Sequence, residues 1–88
     1  MPDLNTSFYQ IFPELTLKQF SCFEMYSMGL SVKQIANKKA ISEMAVNKHL
    51  KVARDKFDCQ TSSELRTIYL CRVLRTISVN IPYATNLV

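Results

Sequence analysis

Apolar side chains recur at helical spacing through most of the chain, separated by short polar turns. Val46, Leu50, Ala53 and Phe57 follow one another at steps of four, three and four, so at about 100° per residue they share one face of a helix over residues 43–57. Met44, Lys48, Lys51 and Asp55 lie on the opposite face, with Asn47 and Arg54 flanking it on one side and His49 and Lys56 on the other. Such a helix packs through one stripe and offers a polar, basic stripe to a partner. Ile35 and Ala36 predict a shorter buried helix over 32–38, and Cys22, Phe23 and Tyr26 predict another over 17–28. A fourth, over 62–78, is apolar on two sides: Leu65, Ile68 and Tyr69 on one, Leu70, Val73, Leu74 and Ile77 on the other. Two apolar faces require two neighbours. A second copy of the chain is the expected cover for the second face, the N-terminal arm or the uncharged tail being the other.

Local signals agree with this periodicity. Thr16 with Gln19, Ser31 with Gln34 and Thr61 with Glu64 have capping-box spacing, in which each side chain satisfies the other residue's orphan backbone amide. Ser42 is a fourth cap, and Glu43 follows it at the positive end of the helix dipole. Gly29, the single glycine, suits the left-handed residue that closes a helix. Ahead of the first helix, Phe8, Tyr9, Ile11 and Phe12 are too apolar for a free tail and predict a short helix or arm laid against the domain. The expectation is an all-α fold: an arm over 1–14, a four-helix domain over 15–77 and a tail over 78–88.

Composition narrows the reading. At 88 residues and 48% hydrophobic the chain makes one folded domain without room for a spacious catalytic cleft, and three prolines with one glycine are too few for the turns of an all-β protein. The formal charge is +4, but it is concentrated. Lys33, Lys38, Lys39, Lys48, Lys51, Arg54 and Lys56 face only Glu43 and Asp55 within one segment, which points to a phosphate backbone or an anionic membrane surface as partner. Cys22, Cys59 and Cys71 are odd in number and lack metal-ligand spacing, and the chain has one histidine, so neither a disulfide framework nor a metal site is expected. No nucleophile has a recognisable base beside it and no glycine-rich loop could hold a nucleotide. An enzyme or a bound cofactor is therefore not expected. Without an apolar span or leader pattern, the expectation is a soluble protein of the cytoplasm, associated with the nucleoid.

In order, Leu15-Thr16, Gly29-Leu30-Ser31-x-Lys33-Gln34-Ile35-Ala36, Ile41-Ser42-x-x-x-Val46-x-x-His49-Leu50 and Lys56-Phe57 closely resemble the LuxR/FixJ/GerE helix-turn-helix domains of bacterial transcription regulators. The resemblance covers about Leu15 to Leu74. It implies four helices, the second and third forming the helix-turn-helix, with dimerisation through the fourth. It also implies that Asn47, Lys48 and Lys51 approach base edges, that His49 lies near the phosphate backbone, and that Lys33, Lys38, Arg54 and Lys56 are further backbone contacts. Asn can bond bidentately to adenine and Lys can donate to guanine acceptors, while backbone contacts orient without reading sequence. The dimer interface is expected at Leu70, Val73, Leu74 and Ile77.

Departures from the family pattern are Lys18-Gln19 for Arg-Glu, Lys39 for a buried leucine, Ala45 for threonine and Asp58 for glycine. A lysine at 39 must either snorkel outward or remodel the turn, and loss of the threonine removes a phosphate hydrogen bond. The function expected is a DNA-binding transcription regulator, effector-domain-only, acting as a homodimer on a roughly palindromic site in double-stranded DNA. A larger regulator or RNA polymerase would be a further partner. The alternatives are an interaction module that pairs with and modulates a larger regulator, and a sigma-factor terminal helix-turn-helix, whose Ala-Arg-x-Lys run Ala53 to Lys56 shares.

Overall fold

The computed structural model describes residues 8–80, with side chains through Ser78, so the expectations for residues 1–7 and for the tail beyond Asn80 lie outside the described residues. Residues 8–9 are helical, and the helices bounded within the described residues are, in chain order, α1 (Leu17–Ser27), α2 (Val32–Lys39), α3 (Glu43–Lys56) and α4 (Ser63–Asn80), with no strand among those residues.

Three of these helices start where their caps predict. The Thr16 hydroxyl accepts from the Gln19 amide at 3.3 Å while the Gln19 side chain accepts from the Thr16 amide at 3.0 Å; Ser31 and Gln34 repeat the exchange at 3.1 and 2.8 Å. Ser42 Oγ accepts from the Ala45 amide at 3.0 Å. At Thr61 the outcome differs. Its hydroxyl meets Ser63 Oγ at 3.0 Å and donates to the Glu64 carboxylate at 3.3 Å, and α4 starts at Ser63, one residue later than expected.

The helix ends share one device. After α1 the Leu30 amide reaches back to Met25 O and the Gly29 amide to Tyr26 O; Ile41 to Ala36 with Ala40 to Asn37 closes α2, and Cys59 to Arg54 with Asp58 to Asp55 closes α3. Each closure, a Schellman motif, needs a left-handed residue, supplied by Gly29 at φ 106°, Ala40 at φ 54° and Asp58 at φ 56°. Ala40 carries a Cβ into that region at a cost of about 1 kcal/mol. α2 and α3 are therefore joined by a tight, strained turn that fixes their angle.

The core is aromatic and centres on Phe12. Fully buried, its ring lies 5.0 Å from Phe23, 5.5 Å from Phe20 and 6.3 Å from Phe57, and stacks on Tyr69 at 5.6 Å with an interplanar angle of 6°. Burying such a ring contributes about 1.5–3 kcal/mol. Residues 8–14 thus lie against the helices, with Phe12 packed among side chains of α1, α4 and Phe57 just after α3. Arg72 of α4 holds the segment from outside, donating to Ile11 O at 3.0 Å and Glu14 Oε1 at 2.8 Å with its guanidinium 4.9 Å over the Phe12 ring. That hydrogen bond holds the Glu14 carboxyl below the usual carboxylate range. Leu65 and Tyr69 bury one face of α4 as expected. Val73, expected on the second face, is only 8% exposed and packs in the core.

Candidate nucleic-acid interface

On α3 the division into two faces is carried through. Val46, Leu50 and Ala53 are buried against α1 and α2, while Met44, Asn47, Lys48 and Lys51 are exposed along the opposite side. The helix is held by its apolar stripe and by the Ser42 cap, so the outer stripe is presented on a rigid element.

The expected contact residues fall into distinct settings. Lys33 is exposed in the first turn of α2, and Lys56 is exposed at the end of α3. Lys51 makes an i,i+4 ion pair with Asp55, Nζ to Oδ2 3.2 Å. Both partners are well exposed, so the pair contributes at most about 1 kcal/mol and is readily exchanged for another anion. Arg54 is half-buried and donates from Nη1 to Ser62 Oγ at 2.7 Å, bracing the end of α3 against the start of α4 while other guanidinium donors remain. Lys38 stands apart. It lines a groove of about 330 Å³ with Phe8, Glu24, Met25, Met28, Leu30 and Tyr69, residues of the arm, α1, the turn after it and α4, none of them on α3.

His49 lies half-buried at the flank of α3, where the structure gathers residues that sequence periodicity does not connect. Burial, then the charges of Lys39, Lys18 and Lys48, hold its imidazole below the ordinary histidine range. Lys39 is the last residue of α2 and is half-buried. Its stem carries the ammonium across to α1, where Nζ donates to Ser21 Oγ at 2.7 Å, one helical turn from Lys18. Cations from α1, α2 and α3 therefore converge beside His49, and none of Lys18, Lys39 and Lys48 pairs with a carboxylate among the described residues. Lys18 and Lys39 were missed as site residues because their neighbourhood depends on how three helices cross. The one sequence signal was a lysine at a position where the pattern wants an apolar side chain.

Two of the three arginines of α4 are engaged within the domain, Arg75 being exposed. Arg66 donates from Nε to Tyr26 O at 3.1 Å with its guanidinium 4.6 Å over the Tyr26 ring, and Arg72 braces the arm. Leu70, Leu74 and Ile77 are 50, 58 and 40% exposed, one turn apart along the outer side of the helix.

Among the described residues no group of three or more His, Cys, Asp or Glu is placed to hold a metal, and no helix is long and apolar enough to cross a membrane. No buried side-chain polar atom among them lacks a hydrogen-bond partner.

The family model described as bacterial regulatory proteins, luxR family (GerE), matches residues 13–69. No curated protein and no solved structure gives a significant match.

Proposed function

The chain belongs to the luxR family of bacterial regulatory proteins, non-enzymatic helix-turn-helix domains that bind DNA and regulate transcription, and from that premise we propose how this member engages its site. α3 enters the major groove with Asn47, Lys48 and Lys51 toward base edges. Lys33, His49, Arg54 and Lys56, joined by Lys18 and Lys39, meet phosphates on either side. Lys38, whose neighbours belong to the arm, α1 and α4, is not assigned to that contact. The observation that carries the reading is the outer stripe of α3, exposed along its length while the opposite stripe is buried.

The partner for α4 is a second copy of the chain. Leu70, Leu74 and Ile77 form an exposed apolar row, with Val73 at its buried edge, and a two-fold pair would set two α3 helices about one DNA turn apart on a roughly palindromic site.

Binding to duplex DNA measured against salt tests the first part. Affinity should fall steeply with salt, and the Lys48→Ala, Lys51→Ala double variant should bind far more weakly, losing its preference among sequences, while Lys33→Ala or Lys56→Ala, each removing one phosphate contact, should make the log–log salt slope shallower by about 0.9. Unchanged binding by the double variant would remove α3 as the reader.

A further inference from the structure

Met44 is the most exposed large apolar residue among those described, at 81%, and the one such residue on α3. It stands in the first turn of that helix, directly after the Ser42 cap and Glu43. Its spacing to Asn47, Lys48 and Lys51 is three, four and seven residues, which puts it on their stripe. The apolar row on α4 is continuous, as a protein-docking face is; Met44 is isolated among an amide, two ammonium groups and a carboxylate. That setting suits a surface that is polar nearly everywhere and apolar at single points.

The major groove is such a surface. Its floor carries hydrogen-bond donors and acceptors at every base pair and one kind of apolar group, the C5-methyl of thymine. N-terminal residues of a recognition helix are those that reach base edges. Methionine is unbranched and polarizable, able to fill an irregular gap without a fixed rotamer. Building on the proposed entry of α3 into the groove, we infer that Met44 is a specificity-determining residue that reads a thymine by packing its side chain on the C5-methyl group. Asn47, Lys48 and Lys51 then read polar edges deeper along the same stripe, and Met44 adds preference for thymine at one position of each half-site.

The test starts from a duplex recovered by selection from random double-stranded DNA with the full chain. Each thymine is then replaced singly by 2′-deoxyuridine, which removes one methyl group and leaves every hydrogen bond in place. One thymine per half-site should weaken binding roughly three- to fivefold when replaced, the worth of one buried methyl. Met44→Ala should bind the original duplex weaker by a similar factor and be indifferent to that replacement, while Met44→Leu should retain the sensitivity. The side chain touches little of its own domain and alanine is a better helix former, so the helical circular dichroism of Met44→Ala should match that of the parent. A recovered duplex in which no thymine is sensitive, or a Met44→Ala variant as sensitive as the parent, overturns this inference alone. Failure to recover any preferred duplex overturns sequence-specific reading by α3, and this inference with it.

Discussion

The Tyr69 hydroxyl donates a 2.7 Å hydrogen bond to Oε2 of Glu24, joining α4 to α1 where the two residues are only 4 and 6% exposed. Stacked on Phe12 as well, Tyr69 couples the core's centre to its buried carboxylate. Tyr69→Phe should destabilise the domain by about 1.5–3 kcal/mol, the usual worth of a hydrogen bond to a charged group, read by urea unfolding. Burial, the hydrogen bond and the Glu24 charge all push the phenol's pKa up. The folded state therefore keeps this proton when the unfolded chain loses it near pH 10, and stability should fall as pH rises above that value. A Tyr69→Phe variant should show a shallower alkaline decline.

The α2–α3 turn offers a gain in stability. Ala40 holds φ 54° and ψ 44°, a region that glycine occupies without strain. Ala40→Gly should stabilise by about 0.5–1 kcal/mol and raise the Tm by several degrees. Asp58→Gly should do less, because aspartate tolerates the left-handed region better than alanine. A lowered Tm for Ala40→Gly would mean that the turn is not held as described.

Asp55 holds Lys51 at 3.2 Å on the outer face of α3, placing a negative charge where phosphates would approach. Asp55→Asn frees the ammonium and removes that repulsion. Affinity for duplex DNA at low salt should rise about two- to fivefold, the gain shrinking as salt screens the charge. Titrations at two ionic strengths would show this, and equal or weaker binding by the variant would argue against the assigned face.

His49 makes binding sensitive to pH. Its imidazole titrates below the ordinary histidine value because burial and then Lys39, Lys18 and Lys48 disfavour the cation. In the free protein the folded state resists protonation that the unfolded chain accepts, so stability should decline as pH falls below about 6.5. A phosphate seated among these cations would favour the imidazolium, so the complex takes up a proton and affinity should rise from pH 8 to pH 6. His49→Gln should flatten that rise, and Lys39→Met should move the His49 titration, followed by NMR, back up.

Leu74→Asp, alone or with Leu70→Asp, should yield a monomer by sedimentation where the parent sediments as a dimer, with its helical signal intact because both side chains are exposed. Weaker binding to a two-half-site duplex should accompany the change. A parent that is monomeric at every concentration measured would leave the α4 row to some other partner.

What was legible in the sequence was local. The caps at Thr16, Ser31 and Ser42 and the closing Gly29 marked helix ends because their hydrogen bonds span three to five residues. The two faces of α3 could be read from period alone, since Val46, Leu50 and Ala53 share a side in any helix. Thr61 misled by one residue because a hydroxyl with several near partners, here Ser63 and Glu64, is not bound to the backbone amide three residues on.

The sequence by itself determined which segments are helical, which side of α3 is buried and where positive charge accumulates, because periodicity, caps and composition act within a few residues. Only the tertiary structure decided that Phe12 is the centre of the core, that Val73 turns inward, that Tyr69 meets Glu24, and that Lys39 crosses to Ser21 beside Lys18 and His49. Those pairings depend on the angles at which helices distant in sequence cross, and the strained turn at Ala40 and the packing around Phe12 set those angles jointly. The basic stripe on α3 could be foreseen; the cationic corner around His49 exists only once three helices have met.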